Sequence, residues 1–201
     1  KVVKFGGSSL ADAAQFRKVA EIIKSDSERR FVIPSAPGKR FSDDTKVTDL
    51  LYSCFDGGNF DEDFIPIKNR YNEIISELGL SLSLEKEYAK IINDFKNGAS
   101  RDYAASRGEY LNGIILAAYL GFNFVDAAKA IFFDVEGNFD SSLTNGSLAA
   151  VLENYENAVI PGFYGALPDG TIKTFSRGGS DFTGSVVARA INASVYENWT
   201  D

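Results

Sequence analysis

A chain of 201 residues and 21.9 kDa, 44% hydrophobic and 24% charged, can build one substantial α/β core with a small appendage and is too short for two full catalytic domains. Twenty-one Lys and Arg against 28 Asp and Glu leave a net charge of -7, which argues against non-specific nucleic-acid binding and against an anionic membrane surface, though not against a local positive pocket. A single cysteine, Cys54, excludes an intramolecular disulfide, the lack of His excludes histidine base chemistry and histidine-held zinc, and no apolar run is long enough to span a bilayer, so a cytoplasmic location is expected.

The sequence contains no Met, so it is expected to lack at least the start of its translation product, and short contiguous motifs carry more than long-range periodicity. The first of these is Lys1 to Leu10. An apolar strand (Val2, Val3, Phe5) breaks at Gly6-Gly7, passes Ser8 and Ser9, and enters a helix near Ala11 with Phe16, Val19, Ala20, Ile22 and Ile23 in one stripe. Such a junction suits an anion: glycines allow close backbone approach, the helix N-terminus is partly positive, and Lys4 adds a full charge. It also suits a plain turn.

A second strand over Phe31 to Ile33 runs into Pro34-Ser35-Ala36-Pro37-Gly38-Lys39, at an interval that fits a parallel βαβ unit. Ser35, Gly38 and Lys39 are then expected beside Gly6-Gly7, at the carboxyl edge where open α/β sheets bind ligands. The polar stretch from Lys39 is expected to be a loop. Thr48 is the expected N-cap of a helix closed by Gly57-Gly58. Residues 60–100 show helical stripes and no strand signal, which predicts a helical excursion, either a lid or side-wall over the pocket or an interface layer.

Next comes a long apolar helix, with its beginning expected at Ser106 or Gly108 and Glu109 in its first turn. There Glu109 either caps the helix or binds the ammonium of a small substrate. Phe122 to Ala127 predicts a short strand, Leu148 to Tyr155 a helix, and Ala158 to Phe175 a hairpin turning at Leu167-Pro-Asp-Gly170. Ser176-Arg177-Gly178-Gly179-Ser180-Asp181-Phe182-Thr183 is a second strand, glycine turn and helix junction. Arginine grips carboxylate or phosphate in a planar fork, Ser180 can donate to an anion, and Asp181 can cap the helix or orient an ammonium. A final strand ends at Trp199-Thr200-Asp201, on the same edge.

These groups suit phosphoryl transfer to an ionised carboxylate, which needs positioning and charge neutralisation but no general base. The P-loop and protein-kinase signatures are both absent from the sequence. The chain resembles the aspartate kinases (aspartokinases) of the amino acid kinase family, in their catalytic domain without the regulatory ACT domains. The resemblance rests on Lys4-Phe-Gly-Gly-Ser-Ser9, Ser35-Ala-Pro-Gly-Lys39, Arg107-Gly-Glu109 and Ser176 to Thr183, in the family's order. The last of these, with Trp199-Thr200-Asp201, favours aspartate kinase over carbamate, acetylglutamate, glutamate or uridylate kinases.

The resemblance implies an α/β three-layer sandwich with a mainly parallel central sheet, the amino acid kinase (carbamate kinase-like) fold, incomplete at its C-terminus, with residues 1–201 as a partial catalytic domain. It implies ATP-dependent phosphorylation of the β-carboxylate of L-aspartate to 4-phospho-L-aspartate, the first step toward lysine, threonine and methionine. Lys4, Arg177 and Asp181 would be catalytic. Ser35, Thr48, Glu109, Arg177 and Ser180 would bind substrate. Lys4, Gly6, Gly7, Ser8, Gly178, Gly179, Thr200 and Asp201 would bind ATP, with Mg²⁺ held by the triphosphate and no metal ligand from the protein. A homo-oligomer is implied for the full-length protein, and little turnover is expected of residues 1–201 alone. The alternatives are a non-catalytic ligand-sensing module of the same fold and a kinase for another small carboxylate such as glutamate.

Overall fold

A parallel strand covered on both faces takes apolar side chains at nearly every position, and Val2–Phe5 and Phe31–Pro34 supply them. In the computed structural model of the chain, which describes residues 1–176 and 178–200, these runs form β1 and β2, paired in parallel with Val2 opposite Phe31 and Phe5 opposite Pro34. With β3 (Asn123–Phe124), β4 (Ala158–Val159) and β7 (Tyr196–Trp199) they make a five-stranded sheet in the order β3, β4, β2, β1, β7, every pair parallel. A separate antiparallel hairpin joins β5 (Tyr164–Ala166) to β6 (Ile172–Thr174) around the expected turn at Leu167 to Gly170.

Alternation along the strands divides the core into two layers. Val3, Phe5, Val32 and Val159 point into one apolar cluster, shared with α1 (Ala13–Lys24), α2 (Val47–Gly57), α3 (Phe60–Asp63), α4 (Ile65–Glu77), α5 (Glu85–Lys96) and α6 (Arg101–Leu120). Val2, Phe31, Ile33, Ala158 and Ile160 point into the other, under α7 (Ser141–Leu152) and α8 (Gly179–Ala190). The chain is therefore an α/β sandwich of three layers, as expected from the sequence. Lys4 shares the parity of Val2, so its side chain leaves β1 on the α8 side.

Several boundaries differ from the sequence expectation, each for a local reason. Helix α6 starts at Arg101, well before Ser106, because Ser100 caps it by accepting from the Tyr103 N–H at 3.1 Å. Glu109 therefore lies mid-helix and caps nothing. Helix α2 starts at Val47 with Lys46 in the cap position and no side-chain cap, so Thr48 sits inside the helix. Asp140 caps α7 through the Leu143 N–H, which moves that helix's start back to Ser141. Within residues 60–100 lie the helices α3, α4 and α5, and Ile67, Tyr71, Ile74, Tyr88, Ile91 and Phe95 are buried in the layer with α2 and α6. Among the described residues, no helix is long and apolar enough to cross a membrane.

Candidate active site

Parallel strands all end on one side, and their loops continue the ladder there. The Ser35 N–H donates to the Phe5 carbonyl at 3.1 Å, the Gly6 N–H to Trp199 at 3.1 Å, and the Gly162 N–H to Pro34 at 3.2 Å. The loops after β1 and β2 touch backbone to backbone: the Gly38 N–H donates to the Gly7 carbonyl at 2.8 Å. A Cβ on Gly7 would stand 2.8 Å from the Ala36 carbonyl oxygen, and one on Gly38 would stand 2.7 Å from the Gly7 carbonyl carbon. Both glycines are thus required by close approach, since neither has a positive φ. Gly7 then leads into a single 3₁₀ turn, Ser8–Leu10.

The second glycine junction meets the first through an ion pair. Lys4, with 9% of its side chain exposed, places Nζ 2.7 Å from Oδ1 of Asp181, which is 48% exposed on the first turn of α8. The same oxygen accepts from Asn198 Nδ2 at 3.2 Å, and the register of β7 on β1 sets Asn198 beside Lys4. Gly178, at φ 76°, turns the chain into α8, while Gly179 is pressed so closely on Phe163 that a Cβ would lie 2.6 Å from its ring. Phe163 is itself held at φ 81°, a conformation rare for a bulky residue. Its N–H donates to Thr183 Oγ1 at 3.1 Å, and its carbonyl accepts from the Phe175 N–H at 2.8 Å.

Glu109 comes from the opposite helical layer. It is 6% exposed, and its Oε2 is buried without a partner. Burial pushes its pKa up to about 7, against the opposing pull of the Ala36 N–H and the Arg107 charge. Gly108 lets α6 come this close, because a Cβ there would lie 2.7 Å from that of Ala36. One turn on, buried Asn112 donates from Nδ2 to the Ser35 carbonyl at 2.7 Å, which ties α6 to the loop after β2.

A cleft of about 870 Å³ is lined by Lys4, Ser35, Thr48, Glu109, Gly178, Gly179, Ser180 and Asp181. A neighbouring cavity of about 570 Å³ carries Gly7, Ser8, Gly38 and Lys39, and shares Ser35, Lys46, Thr48 and Glu109 with the cleft. Gly6 and Thr200 lie at the β1–β7 edge, where a Cβ on Gly6 would be 3.7 Å from Lys4 Nζ and 3.8 Å from Thr200 Oγ1. Arg177 and Asp201 fall outside the described residues; the neighbours Ser176 and Gly178 line the cleft. No residue of 60–100 is among those lining it.

Sequence reasoning missed Lys46, Asp49, Tyr52, Phe163 and Thr174 on the cleft wall, and Asn112 and Asn198 behind it. Asn112 left a signal: a polar residue three positions after Glu109 in an otherwise apolar helix shares its face. Phe163 left none, since nothing in its neighbours announces the positive φ.

The fold and these motifs define a class. Residues 1–201 match the family model described as the amino acid kinase family, and the chain belongs to that family. Within it, the similarity is to aspartokinases: the chain is 39% identical over 223 aligned residues to aspartokinase 3 of Bacillus subtilis (strain 168), covering 100% of this chain and 48% of that protein. The lysine-sensitive aspartokinase 3 of Escherichia coli (strain K12) is 27% identical, again over 100% of this chain and 48% of that protein. Among solved structures, aspartate kinase of Clostridium acetobutylicum superposes with a TM-score of 0.96 at 53% identity, over 100% of this chain and 47% of that one. Escherichia coli aspartokinase III in complex with aspartate and ADP superposes at 0.84 with 24% identity, a likeness of fold. The chain spans about half the length of the curated relatives it matches.

Proposed function

We propose that this chain is part of the catalytic domain of an aspartate kinase, a cytoplasmic enzyme that transfers the γ-phosphoryl group of ATP to the β-carboxylate of L-aspartate. A β-carboxylate oxygen forms the new P–O bond, the bond between the γ-phosphorus and the β,γ-bridging oxygen breaks, and ADP leaves. An ionised carboxylate carries no proton to remove, which matches a cleft without histidine. The observation that carries the reading is the pairing of opposites in one cleft: the unpartnered Oε2 of Glu109 and the ammonium of Lys4.

Glu109 takes the substrate ammonium, whose charge draws the raised pKa back down and leaves the carboxylate ionised. Arg177 grips the α-carboxylate, and Ser35, Thr48 and Ser180 orient the substrate. Lys4 turns from Asp181 to the transferring phosphoryl group as charge builds on it, with Asp181 holding the lysine in place beforehand. Gly6, Gly7, Ser8, Gly178 and Gly179 bind the phosphates through their backbone, and Thr200 and Asp201 take part in nucleotide binding. Mg²⁺ would be carried by the triphosphate and would supply neutralisation of the phosphate oxygens. The full-length protein is a homo-oligomer in this reading.

The test is ADP release by the full-length protein on addition of L-aspartate, with L-glutamate as the competing substrate and Lys4→Ala as control. Aspartate-dependent ADP release that disappears in Lys4→Ala supports the reading. Aspartate binding without ADP release would make the fold a ligand sensor, and preference for glutamate would reassign the substrate.

A further inference from the structure

Residues two apart on an α-helix point about 200° from one another, so α6 turns Arg107 away from the cleft that Glu109 faces. Arg107 is 6% exposed, and its guanidinium lies 4.5 Å from the ring centroids of Tyr103 and Tyr110 and 5.3 Å from that of Tyr164. Its Nε and one terminal nitrogen donate to the hydroxyl of the adjacent Ser106, at 3.0 and 2.8 Å. Among the described residues it forms no ion pair with a carboxylate. Buried charges are ordinarily paired. Among the described residues the close contacts of this one are aromatic faces and a hydroxyl, with the carboxylates of Asp94 and Glu109 acting on it without direct contact, and it opens on a cavity of about 690 Å³ between α5, the start of α6 and the β5–β6 hairpin.

Of the acids on that wall, Glu87 stands on α5 next to Lys86, while Asp94 and Asp126 are already engaged. Asp94 accepts from Tyr103 Oη and from Lys90, the latter at 2.6 Å, and Asp126 accepts from Tyr164 Oη at 2.8 Å and the Ala128 N–H at 3.1 Å. We propose that this cavity is a second binding site, for a small organic monocarboxylate. Its carboxylate lies against the remaining edge of Arg107, with its apolar body between the tyrosine rings and Ile172 of β6. The tyrosine rings and Ile172 favour a carboxylate that carries an apolar body over inorganic phosphate, which has none. No residue is common to this cavity and the cleft, so the site stands whatever reaction the cleft performs.

The experiment uses the full-length protein with benzoate as probe, its affinity followed by ligand-observed NMR and its position by soaking crystals. Benzoate should bind beside Arg107, more weakly by at least ~10-fold in Arg107→Met, and equally well in Lys4→Ala. If Arg107→Met does not fold, Ile172→Trp fills the cavity from its half-buried wall and should abolish binding with the fold intact. Absence of benzoate binding, unchanged affinity in both Arg107→Met and Ile172→Trp, or benzoate found in the Lys4 cleft would overturn the site. Displacement of benzoate by an equal concentration of inorganic phosphate would overturn the choice of carboxylate.

Discussion

At Gly7 the backbone is ordinary, with φ -63°, and the space is closed; at Gly178 the space is open and the backbone is left-handed, with φ 76°. A Cβ on Gly7 would collide with the Ala36 carbonyl at 2.8 Å, whereas one on Gly178 would meet nothing nearer than Asp181 Oδ2 at 3.7 Å. The first junction needs glycine so that two loops can touch, the second so that the chain can turn from the hairpin into α8. Two different constraints thus converge on one result. Each junction delivers a charged side chain to the same edge of the sheet, and Lys4 and Asp181 meet at 2.7 Å.

The way to break this convergence most severely is to remove the cation. In the full-length protein Lys4→Ala should lower kcat by roughly 10²–10³-fold, the scale of losing one preorganised charge-stabilising group, with a much smaller change in KM for aspartate. Steady-state ADP release checks it. Equal losses in KM and kcat would point to a purely structural lysine.

Glu109 supplies the negative half of the cleft, and Glu109→Gln should raise KM for aspartate by roughly 10–100-fold, the worth of a charge-assisted contact. The same substitution has a signed effect on stability. The folded pKa, about 7, lies above the ordinary 4.5, so the folded chain holds this proton more tightly than the unfolded one. That stabilisation is complete below the ordinary value and lost as the pH rises through about 7. Without ligand, Glu109→Gln should therefore be more stable than the wild type above neutrality, by roughly 1–3 kcal/mol. The gain should fade as the pH approaches 4.5, and denaturant melts across that range would show it.

The two glycine junctions can be told apart by substitution. Gly7→Ala should cost roughly 1–3 kcal/mol through overpacking, and Gly7→Asn no less, because any Cβ collides. Gly178→Ala should cost about 1 kcal/mol, and Gly178→Asn should recover part of it, since asparagine tolerates the left-handed region. Equal responses to asparagine at both positions would erase the distinction. The smallest effect belongs to a position outside both junctions: Asp140→Ala removes the α7 cap and should cost about 1 kcal/mol with kcat unchanged.

What lay in short contiguous runs was legible from the residues alone. β1 and β2 with their parallel pairing, the approach of Gly38 to Gly7, and the arrival of Ser35, Ser180 and Asp181 at one edge all follow from local pattern and the geometry of a parallel sheet. Contacts set by register were not. Asn198 stands beside Lys4 only because β7 pairs with β1 in that frame, which no neighbouring residue announces. The start of α6 was misplaced because the small residues of Ala104 to Ser106 look like a loop ending, while the operative cap is Ser100. That error matters for the site. Placed in a first turn, Glu109 has a capping role to explain it; placed mid-helix, buried and half-unpartnered, it has none.

The most direct test is a crystal structure of the full-length protein with L-aspartate and a non-hydrolysable ATP analogue. The expected result has the aspartate ammonium within hydrogen-bond distance of Glu109 Oε2, and Lys4 Nζ withdrawn from Asp181 onto the γ-phosphate. Aspartate bound away from Glu109, or Lys4 still paired with Asp181 and the phosphates elsewhere, would contradict it.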